Sequence, residues 1–346
     1  MVFMRCYFCK ACDARPVSLG MLSFDASFAQ PSKIARIVGC KAIDGPFVRR
    51  QRNNVSVEAL PALIDRLERD RSLLRPERLR ERSDALDRLE SHLAHVSPEN
   101  ADAVLDAPLR RRVEILRAGL ESADRQLFES IRQAIRRGAG AEAMRAWTPA
   151  AGSEATMARD GHAYDHLDAL LSGVLELKEP GPDIAELAAD MVFYQPTPAR
   201  HIFEFIRRAE LAEHDVLIDL GSGLGHVPLL AAICTGARCI GIEQEAAYVD
   251  CAERCAQALG LGRASFVRQD AREADLSAGT VFYLYTPFIG RMLSEILAML
   301  RRQASMREIR IGTLGPCTPV LAGEAWLESA GPTDTDRPAL FRSILH

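Results

Sequence analysis

The run Asp219-Leu220-Gly221-Ser222-Gly223-Leu224-Gly225 limits what this chain can fold into more than any other stretch of it. It follows an apolar segment of strand character, residues 216–220, and leads into an apolar helical segment, residues 227–234. Glycines at three alternate positions on a strand-to-helix turn let the backbone bend sharply and admit a ligand where a Cβ would block it. In an open parallel sheet such a turn lies beyond the carboxyl end of a strand, which is where these sheets bind their ligands. A fold class and the position of a site follow together.

The surrounding sequence has the alternation that this fold class requires. Helical character begins at Pro198, followed by a strand at 216–220, a helix at 227–234, a strand at 238–243 and a helix at 246–259. Strands at 264–269 and 281–285, a helix at 290–302 and a strand at 308–314 complete the series. Strands and helices in this order predict an α/β domain with a largely parallel, Rossmann-like sheet covered by helices on both faces. Residues 340–345 are expected to add a late edge strand.

Upstream the period becomes helical. Leu60, Leu63, Ile64 and Leu67 are followed by Leu79, Leu86 and Leu93, then by Val113, Leu116, Leu120, Leu127, Ile131 and Ile135 ahead of Gly138 and Gly140. At 346 residues the chain has room for about two domains. The expected organisation is a poorly defined segment at 1–50, an α-helical module at 51–150, a linker with a short helix at 151–185, and the ligand-binding α/β domain at 186–346.

Three acids stand at successive predicted strand ends: Asp219, Glu243, and Asp270 in Gln269-Asp270-Ala271. A dinucleotide-binding turn wants its third glycine one residue later, where this chain has His226, and a carboxylate is a poor neighbour for a pyrophosphate. Asp219 instead suits the ammonium of an amino-acid moiety. Glu243 can accept two hydrogen bonds from a ribose diol, and Asp270 one from the exocyclic amine of adenine. Each acid alone is equally well read as a cap for the helix after it. Together they read one adenosyl ligand with an amino-acid end.

These acids, with Gly221, Ser222, Gly223 and Gly225, resemble the nucleotide-binding motifs of class I S-adenosylmethionine-dependent methyltransferases. Within that class, Tyr194-Gln195-Pro196-Thr197-Pro198 and the Asp-Leu-Gly-Ser-Gly run resemble the histone-lysine methyltransferases of the disruptor-of-telomeric-silencing type and related bacterial proteins. The resemblance implies a Rossmann-like methyltransferase domain with S-adenosyl-L-methionine as cofactor. It places Asp219, Gly221, Ser222, Gly223, Gly225, Glu243 and Asp270 around that cofactor, with Tyr194 and Thr197 over its methionine end. The implied reaction is methyl transfer to a nucleophilic acceptor such as a protein lysine amine. Thr197 followed by Pro198 is also a good N-cap and first helical residue.

Tyr285-Thr286-Pro287-Phe288 falls where many methyltransferases line the acceptor pocket, which makes Tyr285, Thr286 and Phe288 the candidate acceptor-site residues. The segment departs both from the Asn/Asp-Pro-Pro-aromatic pattern of amine-directed nucleic-acid enzymes and from the asparagine-containing segment of the telomeric-silencing family. Tyr285 and Phe288 can wall a cation or pack a strand end into the core, and both readings stand. No residue stands out as a general base. A sulfonium is already an activated leaving group, so alignment and desolvation are expected to carry the reaction.

Charge and composition narrow the alternatives. A net charge of -4 from 43 basic and 47 acidic residues gives no general attraction to nucleic acid, and none is expected as a partner. No apolar run reaches eighteen residues and charges punctuate the first fifteen, so no membrane partner and a cytoplasmic location are expected. Cys234, Cys239, Cys251, Cys255 and Cys317 lie in apolar or amphipathic segments and read as reduced, buried thiols. Cys6, Cys9 and Cys12, with Cys40, lack the second pair of a metal-ligand framework, and no metal is expected. The competing functional reading is a catalytically inactive adenosyl-cofactor-binding interaction protein whose helical module is the working surface.

Overall fold

Short apolar stretches with turn residues between them pair into one seven-stranded sheet. Its strands are β1 (Val216–Leu220), β2 (Arg238–Glu243), β3 (Ala264–Arg268), β4 (Val281–Tyr285), β5 (Arg310–Leu314), β6 (Leu327–Ser329) and β7 (Ala339–Ser343). In the computed structural model, which describes residues 59–94, 106–148, 164–177, 195–285 and 288–344, they lie in the order β3-β2-β1-β4-β5-β7-β6. The first five are parallel, and the near-continuous burial of β1, β4 and β5 fits strands covered on both faces.

The last strand differs from expectation. β7 is no edge strand: it runs antiparallel between β5 and β6, and the three-residue β6 forms the edge. Ala339, Leu340 and Phe341 are buried in succession, the signature of an interior strand. β6 offers Glu328 and Ser329 to solvent, so it is too short and too polar to show a period in the sequence.

Described helices are α1 (Leu60–Arg69), α2 (Leu79–Ala94), α3 (Ala107–Arg136), α4 (Gly140–Arg145), α5 (His166–Leu175), α6 (Ala199–Arg208), α7 (His226–Thr235), α8 (Ala246–Leu259), α9 (Gly290–Ala304) and α10 (Thr318–Ala322). One sheet face, presenting Leu217, Val281 and Phe266, joins apolar residues of α3 to α8, among them Ile131, Leu170, Ile202 and Leu230. The other, presenting Ile218, Phe282 and Leu284, packs under α9 through Leu293, Ile296 and Leu300. A third cluster unites α1, α2 and the first half of α3 through Leu63, Ile64, Leu89, Val113 and Leu120.

The 30-residue α3 belongs to two cores. Val113 and Leu120 sit in the helical cluster, while Leu127, Ile131 and Ile135 reach the sheet-side core, so one rod of about 45 Å carries both. It starts where Asp106 caps the Leu109 amide at 2.8 Å, and Gly138 follows its end at a positive φ of 78°. In the helical cluster the fully buried Arg82 meets Asp124 at 2.5 Å and the carbonyls of Leu73 and Arg75 at 2.7 and 2.9 Å. The fifty N-terminal residues, their cysteine run, and residues 151–163 and 178–185 of the expected linker lie outside the described residues.

Helix α6 is seated on the sheet by one close approach. A Cβ built on Gly312 of β5 would stand 2.2 Å from the Phe205 ring, and that ring lies 4.7 Å from the ring of Tyr283 on β4. Only a glycine leaves room for it. Gly312→Ala is therefore expected to push α6 from the sheet and lower the unfolding free energy by about 1–3 kcal/mol. Urea denaturation reads this directly, and an unchanged midpoint would mean that Phe205 has another seat.

Candidate functional site

Strand register assembles a row of side chains across one face of the sheet. Asp219 is level with Gly241 of β2 and Tyr283 of β4, Gly241 with Phe266 of β3, and Tyr283 with Gly312 of β5. Phe266 fills the space over Gly241, and Phe205 the space over Gly312. The Asp219 carboxylate is left between aromatic rings, 4% exposed. Burial, and then the neighbouring charge of Glu243, push its pKa well above the usual carboxylate range, and no hydrogen bond among the described residues lowers it.

The glycine run turns over this row. Gly221, Gly223 and Gly225 have φ of 80°, 52° and 81°, the left-handed region that glycine tolerates. The amides of Gly221 and Ser222 donate to the Ile242 carbonyl at 2.9 and 3.0 Å, tying the turn to β2. At Gly225, the N-cap of α7, an added Cβ would meet Phe266 at 2.4 Å. Ser222 is buried against Gly241, and its hydroxyl has no hydrogen-bond partner among the described residues.

Glu243, at the end of β2, turns back onto this loop. Its Oε2 accepts the Gly223 amide at 2.8 Å, and its Oε1 accepts the amides of Gln244 and Glu245 at 2.7 and 2.9 Å. Three backbone donors hold the carboxylate in one orientation at the mouth of the turn. Asp270 leaves β3 and caps a short turn: it accepts the Arg272 amide at 2.9 Å and the Arg272 guanidinium at 2.6 Å. That guanidinium holds the Asp270 carboxyl below its usual range. The capping expected of an isolated acid is therefore present at Asp270, whereas Asp219 caps nothing.

Thr197 is not the helix cap that its sequence position offers. The N-cap of α6 is Pro198, without a side-chain cap bond, and the Ala199 amide is taken by Asp168 of α5 at 2.7 Å. The threonine is buried and lies against the hydroxyl of Tyr283, outside hydrogen-bond geometry, one strand from Asp219. Tyr283 is the member of the row that sequence reading passed over. The alternation of β4 marks it, because it shares a face with Tyr285.

Tyr285 and Phe288 part company. Tyr285 is half-buried on the Asp219 side of the sheet, its hydroxyl pushed up to about 12 by burial and drawn the other way by the charge of Arg200. Phe288 is buried in the opposite core with Met292 and Leu293. Tyr194 and Thr286 lie outside the described residues. His226, met in the sequence only as a glycine that is missing, opens α7 beside the loop. Burial pushes its pKa down to about 4, so it is neutral at physiological pH.

The family described as "Histone methylation protein DOT1" matches residues 190–277, the span from the Thr197 loop through the acids of β1, β2 and β3. The chain is similar to class I methyltransferases of the DOT1 type. Its α/β part has the Rossmann-like, mostly parallel sheet of that class and is preceded by helices. No curated protein matches the sequence.

Similar solved structures include an RNA methyltransferase from Salinibacter ruber in complex with S-adenosyl-L-homocysteine. It is 28% identical over 43% of this chain and 92% of its own, with a TM-score of 0.37. A precorrin-6y C5,15-methyltransferase from Geobacter metallireducens is 17% identical over 48% of this chain and 96% of its own, with a TM-score of 0.35. The tRNA (uracil-54, C5)-methyltransferase of Pyrococcus abyssi, in complex with S-adenosyl-L-homocysteine, is 17% identical over 44% of this chain and 40% of its own, with a TM-score of 0.33.

A carboxylate with a raised pKa weakens the protein that holds it. Asp219 binds its proton more tightly in the folded chain than in the unfolded one, so its ionised form costs stability above the folded pKa, and that cost fades as the pH falls through it. Asp219→Asn, which keeps the shape and loses the charge, is expected to raise the melting temperature of the ligand-free protein at pH 8 and to change it little at pH 4. A variant less stable than the wild type at pH 8 would mean that an unseen partner already neutralises Asp219.

Proposed function

We propose that this chain is an S-adenosylmethionine-dependent methyltransferase, and the buried Asp219 carboxylate carries the proposal. It is a negative charge held among Phe266, Tyr283 and the glycine turn at a ligand-binding strand end, with no hydrogen bond from the described residues. The ammonium of a methionine moiety is the countercharge that it lacks. Glu243, oriented by three amides, keeps acceptor capacity for a ribose diol. Asp270 and the end of β3 lie where the adenine would follow, and the open turn at Gly221, Ser222, Gly223 and Gly225 lets the cofactor lie against the backbone. Thr197, with Tyr194 beside it in sequence, covers the methionine end.

The cofactor's sulfonium supplies an activated methyl group. The chain's residues have to align it and exclude water. Tyr285 and Tyr283 on β4, with Thr197 above, give a wall of low polarity on the acceptor side of Asp219. The acceptor is a nucleophile such as a protein amine, which has to arrive unprotonated. The helices at 60–145, which share a core with the α/β part through α3 and α4, help to select the acceptor.

Calorimetric titration of the purified protein with S-adenosylmethionine and S-adenosylhomocysteine tests the reading. Glu243→Ala and Asp219→Asn should each weaken binding about tenfold to a hundredfold, the loss of hydrogen bonds to a charged group. Because Asp219 binds the ammonium only when ionised, wild-type affinity should fall with pH at higher values than an ordinary aspartate would give, and the Asp219→Asn variant should lack that dependence. Full-affinity cofactor binding with no labelled methyl transferred to any component of a cell lysate would favour the interaction-protein reading. Absence of adenosyl binding by a folded wild type would overturn both.

A further inference from the structure

The first turn of α5 grips the loop ahead of α6, some thirty residues further along the chain. Asp168 Oδ1 accepts the Ala199 amide at 2.7 Å, while its Oδ2 accepts the Asp165 amide at 2.7 Å, so one carboxylate ties together the N-termini of two helices. The Tyr164 hydroxyl donates to the Pro196 carbonyl at 2.9 Å. Arg200, buried in the first turn of α6, has Nη1 3.6 Å from Asp165 Oδ2. These three contacts bracket Thr197 from both sides.

What they hold faces the site. Thr197 lies against Tyr283, which is level with Asp219, and the charge of Arg200 acts on Tyr285. The Ala199 amide is one of the orphan donors of a helix start, which a residue just ahead of the helix ordinarily satisfies. Here the acceptor comes from another helix, and Thr197 is spared for the pocket.

We propose that Tyr164, Asp165 and Asp168 form a clasp that sets Thr197 and Arg200 over the methionine end of the cofactor site, which makes Asp168 a positioning residue for cofactor binding. The inference rests on the cofactor reading above. It separates binding into residues that touch the cofactor and a helix that aims them. Burial pushes Asp168 up to about 6, with Asp165 acting in the same direction and Arg200 and the two backbone donors against it. The clasp carboxylate is thus ionised at neutral pH.

The test is a double-mutant cycle on the full chain, with S-adenosylmethionine affinity read by calorimetry and the ligand-free melting temperature recorded beside it. Asp168→Asn, which can no longer accept both amides, should weaken binding about tenfold, and Thr197→Val comparably. The double variant should bind less weakly than the two single losses added together, because the clasp acts in part through that residue. Tyr164→Phe removes one neutral hydrogen bond at an exposed position and should cost about threefold; it keeps the test open if Asp168→Asn does not fold. Additive losses in the cycle, or unchanged affinity in Asp168→Asn and Tyr164→Phe beside a wild type that binds, overturn the clasp alone. A folded wild type that binds no S-adenosylmethionine removes the cofactor reading and the clasp with it.

Discussion

A carboxylate in an aromatic row is the constraint around which this molecule is arranged. Asp219 cannot be moved to solvent, because β1 is an interior strand, paired with β2 on one side and β4 on the other. Nor can it easily be neutralised from within, because the positions level with it are Gly241 and Tyr283. The two glycines of the row leave room for the rings of Phe266 and Phe205. Local strain and desolvation at such a place are stored only where the surrounding packing over-determines them. Here α6, α7 and α8 close over that face and supply the packing.

Much of this was legible in the sequence, and the parts that were not share a cause. Asp219, the glycines and Glu243 announce themselves because each obeys a local rule: an acid or glycine at a fixed offset from a strand end. The boundaries of β2, α8 and β4 follow from their apolar period. Tyr283 was missed because its place beside Asp219 comes from register across strands, whereas the alternation of β4 gives only the face it shares with Tyr285. The cap of α6 was misplaced for the same reason. Thr197 stands in the right place for a local cap, but a carboxylate from another helix has taken the bond. β6 was invisible because a three-residue strand with two exposed polar side chains has no period to detect.

The proposed acceptor side was legible only as composition. Tyr285 and Phe288 are three residues apart, and nothing local tells which face each will take. The strand's alternation sends Tyr285 toward Asp219, while Phe288 is buried beneath α9. Two aromatic residues that look like one wall in the sequence are separated by the thickness of a sheet.

The placement of β7 bears on how the chain reaches this structure. The five parallel strands pair with one another without it, whereas β6 has no neighbour except β7. Until residues near 340 arrive, β5 presents an open ladder of amides and carbonyls, and the segment holding β6 has no template. β7 is therefore the strand that closes the sheet, set between β5 and β6 and paired antiparallel with both. The half-finished sheet, complete at its ligand-binding end and bare at β5, is the species most exposed to pairing with another chain.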